Sequence, residues 1–394
     1  MILKDKNIVL GITGGIAAYK ALELTRLLVK KGANVYPVMT KSAAEFIAPL
    51  SFQTLSGNPV YTELFDISKD ASIRHIDIAE KADIIIIAPA TANVIGKVAN
   101  GIADDLLTTI IMASKCPKLF APAMNVNMYE NPIVQKNISR LKRVGYFFVG
   151  PDEGELACGY EGKGRLAPLE DIIYAAEECL SPKDMKGEKV LVTAGPTREP
   201  IDPVRFISNS SSGKMGYAIA KAAKRRGAEV VLVSGPSYLK PPSCITFVSV
   251  ATADEMSDAA MRHYPQSTVV IMAAAVSDYK PMISHRKKVK KDEAKLAIEI
   301  ERTGDILQEM GNQKRRQFLV GFALETDDII VNAKKKLKTK NLDLVVANST
   351  EGFSSDVNQV AIIHSTGEVA ELPKLSKDEV AERILDVIVK EIGK

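Results

Sequence analysis

The sequence predicts an α/β protein built as two consecutive doubly wound, three-layer domains, and three observations carry that expectation. Short apolar runs such as Asn7–Ile12, Ala82–Ala88 and Lys189–Thr193 fit parallel strands buried on both faces. The first and third run into glycine-marked turns and then stretches with helical apolar spacing. At 394 residues, the chain exceeds one ordinary domain.

In order, Asn7 to Ile12 is a strand and Gly14-Gly15 a turn. Ala17 to Lys31 is a helix whose apolar face runs through Ala18, Leu22, Leu24, Leu27 and Leu28, and Gly32 stops it. Asn34 to Met39 completes a βαβ unit, and Ala82 to Ala88 adds a further strand. The same grammar restarts at Lys189–Thr193, with a turn at Ala194–Thr197 and a helix from Met215 to Arg226 ended by Gly227. Strands at Glu229–Val233, Val269–Met272, Phe318–Gly321 and Leu342–Ala347 follow. The polar stretch Ser181–Gly187 suits a linker, so the expected domains are 1–182 and 186–394. Sites should lie in the loops beyond the carboxyl ends of these strands.

Forty-six per cent hydrophobic and 25% charged residues describe a soluble globular chain, and a net charge of +4 does not suggest a nucleic-acid binder. Basic residues cluster at His285–Lys291 and Lys334–Lys340, which fits a small polyanionic ligand or simply solvated loops. Cys116, Cys158, Cys179 and Cys244 show no C-x-x-C pair, and only four His are present, which argues against a disulfide framework and a zinc site. The N-terminus does not read as a signal peptide, and the run Ile84–Ile87 is far short of a membrane span. A cytoplasmic enzyme is the expectation.

Gly11-Ile12-Thr13-Gly14-Gly15-Ile16 leaves a strand and opens a helix, where glycines let backbone N–H groups approach an anion. The spacing is not G-x-G-x-x-G, so the loop by itself fits a phosphate site or a plain tight turn. Ala88-Pro89-Ala90-Thr91-Ala92-Asn93 and Ala121-Pro122-Ala123-Met124-Asn125 also leave apolar strands and are rich in small and polar residues. Ala157 to Arg165 is a Gly-rich loop with one thiol and two cations, so Cys158 is expected to be more exposed than Cys116 or Cys179. His75 stands alone, as structural histidines commonly do, and Met124 and Met128 read as packing.

Taken in order, Gly-Ile-Thr-Gly-Gly, His75, Pro-Ala-Thr-Ala-Asn, Pro-Ala-Met-Asn and Ala-Cys-Gly-x-x-Gly-x-Gly-Arg resemble the homo-oligomeric flavin-containing cysteine decarboxylases. The whole chain more closely resembles the bifunctional phosphopantothenoylcysteine decarboxylase/phosphopantothenate–cysteine ligase family of coenzyme A synthesis. The resemblance implies a flavodoxin-like domain with FMN held by Gly14, Gly15, Thr40, Pro89, Thr91 and Asn93. His75 would be the base beside the flavin and Cys158 a proton donor on a flap. Asn125 would bind the substrate carboxylate, with Met124 and Arg165 as further substrate contacts. The chemistry fits: losing CO₂ from a cysteinyl amide leaves a carbanion without a sink, and flavin oxidation of CH₂–SH to a thioaldehyde supplies one.

In the second half, Thr193 to Arg205 is a strand exit rich in turn residues and charge, leading into Ile207 to Gly216. Ser212-Gly213-Lys214-Met215 lacks the Ser/Thr and the leading Gly of a P-loop, so that reading is rejected in favour of a loop and helix N-terminus binding a phosphate. Gly-Pro-Thr-x-Glu-Pro-Ile-Asp-x-Val-Arg, Ser-Asn-x-Ser-Ser-Gly-x-Met-Gly, Ala-Ala-Ala-Val-Ser-Asp-Tyr and Lys-Val-Lys-Lys are similar to the ligase half of the same family. The resemblance implies a Rossmann-like domain in which CTP activates a carboxylate as an acyl-cytidylate that cysteine then attacks. Asn209 would stabilise the acyl intermediate and Lys288 the phosphates. Met272, Ala273, Ala274, Asp278, Gly304, Asp305, Ile306, Leu307, Phe322, Lys336 and Lys340 would contact CTP. Arg302-Thr303-Gly304-Asp305 departs from the family's Asn-Pro-Asp at one of those contacts.

The implied cofactors are FMN and Mg²⁺, its ligands unassigned, with CTP as cosubstrate. The partners are phosphopantothenate, cysteine and CTP, with no nucleic acid and no membrane. The resemblance implies a homo-oligomer, with trimers of the first domain and dimers of the second, as in a dodecamer. A nicotinamide-dependent flavin reductase and a non-catalytic flavin-binding protein of the same fold are the alternatives. The missing dinucleotide fingerprint counts against the first, and the presence of His75, Asn125, Cys158, Asn209 and Lys288 against the second.

Overall fold

The computed structural model describes residues 2–64, 74–155, 161–289, 297–324, 328–348 and 357–393. It divides after Ser181, and residues 1–181 and 182–394 are each organised about a sheet of their own.

In the first unit, β1 (Asn7–Ile12) turns into α1 (Ala18–Lys30) and then β2 (Asn34–Met39). α1 buries Ala18, Ala21, Leu24, Thr25 and Leu28, the stripe that three- and four-residue spacing creates on one helix face. Gly32, at φ +82°, takes the left-handed conformation that ends it. Next come α2 (Lys41–Ala44), α3 (Pro49–Ser56), α4 (Arg74–Lys81) and β3 (Ile84–Ala90), a strand buried at every residue. α5 (Ala92–Ala99), α6 (Leu106–Ala113), β4 (Lys118–Pro122), α7 (Val126–Glu130), α8 (Pro132–Arg143) and β5 (Phe147–Phe148) follow. An antiparallel pair, β6 (Asp152–Glu155) and β7 (Glu161–Arg165), precedes α9 (Leu169–Leu180).

The sheet runs β2-β1-β3-β4-β5 with every pair parallel. This is the flavodoxin-like order, and its direction reverses between β1 and β3. One face packs α1 and α9 in a core with Leu24, Leu28, Ile84, Ile86 and Ile172. The other packs α4, α5, α6 and α8 through Ile78, Ile95, Ile110, Phe120 and Leu141.

In the second unit, β8 (Lys189–Ala194) leads past the hairpin β9 (Arg198–Pro200) and β10 (Phe206–Ser208) into α10 (Lys214–Arg225). β11 (Glu229–Ser234), β12 (Thr246–Ser249), α11 (Ala253–His263) and β13 (Val269–Met272) follow. After a second hairpin, β14 (Tyr279–Pro281) and β15 (Ile300–Arg302), come α12 (Ile306–Asn312), β16 (Phe318–Leu324), α13 (Ile329–Thr339) and β17 (Leu344–Asn348). The chain closes with β18 (Val357–Asn358), β19 (Val360–His364), β20 (Val369–Glu371), β21 (Leu375–Ser376) and α14 (Lys377–Glu391).

The main sheet runs β12-β11-β8-β13-β16-β17-β19-β20. Its parallel part, from β12 to β17, has the Rossmann order 3-2-1-4-5-6, while β19 and β20 add an antiparallel edge. α10 and α14 cover one face, and α11, α12 and α13 the other.

Candidate active sites

In the first unit the segments leaving β1, β2, β3 and β4 converge on a cavity of about 1250 Å³. The β1–β3 junction is tied by Thr13, whose fully buried hydroxyl donates to the Pro89 carbonyl at 2.7 Å and accepts from the Thr91 N–H at 3.1 Å. Gly14 lies so close to the next strand exit that a Cβ there would stand 2.3 Å from Ser42 Cβ and 2.9 Å from its backbone. Gly15 has no such constraint, since its Cβ would meet only Thr91 Cγ2 at 3.8 Å. The Thr40 hydroxyl caps α2 by accepting from the Ala43 N–H at 3.3 Å.

Of the expected flavin contacts, Gly14, Gly15, Thr40, Thr91 and Asn93 line the cavity, and Pro89 stands behind it as the Thr13 acceptor. Met124, Asn125 and Arg165 line it too. Asn125 caps α7 by accepting from the Asn127 N–H at 2.9 Å, so recognition of a carboxylate would fall to Nδ2. Met128 lines the cavity and is 49% exposed, which corrects its reading as packing. His75 lies half-buried on α4 and is not part of the cavity wall. Cys158 lies outside the described residues.

Sequence reasoning passed over Lys97, Asp104 and Asp105, which also line this cavity. Lys97 Nζ is 2.8 Å from an Asp104 carboxylate oxygen and 3.2 Å from one of Asp105. The hydrogen bond that Lys97 donates to Asp104 raises the Lys97 ammonium above its ordinary value. A readable signal was the Asp105–Thr108 capping box that opens α6.

The second unit has its own cavity, of about 740 Å³, beyond the carboxyl ends of β13, β16 and β17 and at the N-terminus of α10. Asn209, Met272, Ala273, Ala274, Asp278, Gly304, Asp305, Ile306, Leu307, Phe322, Lys336 and Lys340 all line it. The loop after β13 is pinned at several points: Ala274 N–H donates to Thr193 Oγ1 at 3.2 Å, and Ser277 N–H to Thr197 Oγ1 at 3.0 Å. Asn209 Nδ2 donates to the Ala275 and Val276 carbonyls at 3.0 and 3.1 Å. The donor end expected to face an acyl intermediate therefore holds the loop in this structure.

Helical spacing explains which lysines of the 334–340 run face the site. Lys336 and Lys340, four residues apart, share the cavity face, while Lys334, Lys335 and Lys338 point to solvent. Lys336 donates to the Phe322 carbonyl at 2.7 Å, and Lys340 pairs with Asp305 at 2.6 Å. Burial acts to raise the Asp305 carboxyl, but Lys340 and the cap to Gln308 N–H outweigh it and hold it below its ordinary value.

Lys288 is exposed and is not part of this cavity wall. The loop is anchored next to it: Val289 N–H donates to buried Asp202 at 3.1 Å, and Arg205 donates to the Val289 carbonyl at 2.8 Å. Ser211, Ser212, Gly213 and Lys214 line the cavity at the start of α10, where the loop reading had placed a phosphate. Asn348, Asn358 and Lys377 line it as well and were missed. Asn348 leaves an apolar strand just as Asn125 does, and Lys377 follows the N-cap of the Ser376–Glu379 capping box.

Residues 2–181 match the family model Flavoprotein, and residues 185–392 match the DNA/pantothenate metabolism flavoprotein C-terminal domain. The Coenzyme A biosynthesis bifunctional protein CoaBC of Bacillus subtilis (strain 168) is 50% identical over 396 residues, covering 98% of this chain and 97% of that protein. The chain belongs to the CoaBC bifunctional protein family. The CoaBC of Escherichia coli (strain K12) is 44% identical over 398 residues, covering 99% of this chain and 98% of its own. A crystal structure of the C-terminal domain of a CoaBC is 48% identical, covering 53% of this chain and 98% of that domain at a TM-score of 0.48. The two full-length relatives, covering 98% and 99% of this chain, carry the similarity across both units. Among the described residues, no helix is long and apolar enough to cross a membrane.

Proposed function

We propose that this chain carries out two reactions of coenzyme A biosynthesis: ligation of cysteine to phosphopantothenate, and decarboxylation of the resulting phosphopantothenoylcysteine. The decarboxylase is assigned to residues 1–182 and the ligase to 186–394. The observation that carries the reading is that a chain 50% identical to a CoaBC over nearly its full length has a lined cavity at the carboxyl edge of each sheet.

The first cavity fits FMN. It lies at the β1/β3 switch point, where this sheet order binds that cofactor, and Gly14 and Ser42, too close for a Cβ on Gly14, both line it. Gly14, Gly15, Thr40, Thr91 and Asn93 would hold it, and when bound it supplies a reversible two-electron sink. Asn125 and Arg165, which line the cavity, orient the substrate, and Cys158 is assigned as the proton donor. His75 is assigned as the base, and its place outside the cavity wall supports a site completed by a second copy of the first unit, in a trimer. Dimers of the second unit would extend this to a dodecamer.

In the second cavity, the carboxylate of the acid attacks the α-phosphorus of CTP and expels pyrophosphate to give an acyl-cytidylate, from which the cysteine amine displaces CMP. Lys336 and Lys340 provide fixed positive charge along one wall. Lys288 is assigned to the phosphates, carried there by the loop anchored at Asp202. Mg²⁺ would accompany the nucleotide and offset the charge of its phosphates, and Asp278, which lines the cavity, would offer a carboxylate to hold it. The protein is assigned to the cytoplasm.

The test is mass spectrometry of phosphopantothenate, cysteine, CTP and Mg²⁺ incubated with wild type, His75→Asn and Lys288→Gln. Wild type should form phosphopantetheine, His75→Asn should stop at phosphopantothenoylcysteine, and Lys288→Gln should make little of either. A folded, FMN-replete wild type that consumed no CTP and made neither product would overturn the reading.

A further inference from the structure

Between β9 and β10 the chain closes a tight turn, in which the Ile201 and Asp202 N–H groups both donate to the Arg205 carbonyl, at 2.9 and 3.2 Å. Asp202 is 3% exposed, and its two oxygens serve different partners. Oδ1 caps the turn itself, accepting from the Val204 and Arg205 N–H groups at 2.8 and 2.9 Å. Oδ2 accepts from Arg205 Nε at 2.9 Å and from the Val289 N–H, 87 residues further on, at 3.1 Å. Arg205 completes the grip by donating from Nη2 to the Val289 carbonyl at 2.8 Å. The His285 N–H donates to the Ile201 carbonyl at 2.9 Å, which ties the other end of the same basic segment to the turn. The Arg205 guanidinium beside Asp202 holds its carboxyl well below the usual carboxylate range, and an ionised acceptor makes the stronger hydrogen bond. Lys288 itself is exposed and outside the cavity wall, so what fixes its backbone is the held peptide of its neighbour.

We propose that Asp202 is a positioning residue of the ligase: through Oδ2 it latches residues 285–289 to the 201–205 turn and so sets where Lys288 meets the nucleotide phosphates. The proposal rests on the assignment of Lys288 to those phosphates. An ammonium on a flexible four-carbon stem stabilises phosphoryl oxygens most where it is already in place, and a misplacement of about 1 Å costs up to about a hundredfold in rate. Asp202→Asn separates the two jobs of the side chain. The amide oxygen keeps the Oδ1 cap of the turn, while the NH₂ sets donors against donors at the Val289 N–H and the guanidinium.

The experiment uses the full-length holoenzyme as wild type, Asp202→Asn, Lys288→Gln and the double variant. Amide hydrogen exchange of the peptide spanning 285–289 reads the latch. Ligase rates with CTP varied, taken at high enzyme concentration so that slow variants are measured, read its consequence, and decarboxylation of phosphopantothenoylcysteine by the same chain is the control. In Asp202→Asn the Val289 amide should exchange about tenfold or more faster, and ligation should slow about ten- to hundredfold with decarboxylation unchanged. The double variant should match Lys288→Gln within about twofold, because a residue that acts through Lys288 has nothing left to place. A merely structural role would multiply the two losses. Arg205→Lys, at a half-buried side chain, keeps the charge beside Asp202 and loses the forked reach to the Val289 carbonyl; it is read the same two ways if Asp202→Asn does not fold. Multiplied losses, or unchanged exchange in a folded variant, overturn the proposal. A folded Lys288→Gln that ligates at the wild-type rate overturns the phosphate assignment on which the proposal rests, and faster exchange in Asp202→Asn tells that outcome from a failure of the latch.

Discussion

Thr13→Val is a nearly isosteric change that separates hydrogen bonding from packing at the β1–β3 junction. The Thr13 hydroxyl is fully buried and serves two backbone groups, the Pro89 carbonyl at 2.7 Å and the Thr91 N–H at 3.1 Å. Valine fills the same volume, so no cavity cost arises, but both groups lose their partner. Each buried polar group left unsatisfied costs about 1–3 kcal/mol, and with one of the two only part-buried the expected loss is about 2–4 kcal/mol. For a unit of 181 residues this corresponds to a melting shift of about 5–10 °C. The assay is thermal unfolding of the full-length protein followed by flavin fluorescence, which reports the first unit. The same loops line the cavity, so flavin should also be released more readily. A variant melting within a degree of wild type, with flavin retained, would refute the claim that Thr13 holds the two loops in place.

Gly14→Ala should purify with little bound flavin and lose decarboxylation while keeping ligation, because its Cβ would meet Ser42 backbone at 2.9 Å; absorbance near the flavin maximum checks this. Gly235→Ala should cost several kcal/mol and misfold the second unit, since its Cβ would stand 1.8 Å from the Pro196 carbonyl oxygen; circular dichroism and the ligase rate measure it. Lys340→Met removes the partner that lowers the Asp305 carboxyl and leaves burial, which raises it, less opposed. In wild type the depressed carboxyl favours the folded state above its unfolded value, and that contribution fades as pH falls through the lower, folded value. In the variant the titration should move upward, as read by carboxyl-carbon NMR, and an unmoved midpoint would discard Lys340 as the cause.

Much of this architecture was readable because the βα grammar is local. Val269–Met272 is the strand that its apolar run predicts, and α10 starts one residue from the expected Met215. Composition cannot specify strand direction, so the antiparallel pairing of Val360–His364 with β17 was not foreseen. The cavity residues at strand exits were legible for the same reason: Thr91, Asn125 and Asp278 each follow an apolar strand. Asn358 and Lys377 were not, because they reach the site through the β18–β21 pairing. His75 shows the converse. Its motif was recognisable, yet the wall of the cavity in its own unit does not include it.

The position of α14 has a consequence for how the protein is made. All strands of the first sheet lie within residues 7–148, so that sheet has its whole sequence long before α14 is synthesised. The second cavity is different: one of its walls begins at Lys377, and Ile384, Leu385 and Ile388 of the same helix fill the core beneath α10. Residues as far as α14 must therefore be synthesised before the second site can close, and removing residues 377–391 would take away one wall of that cavity together with the core residues beneath α10.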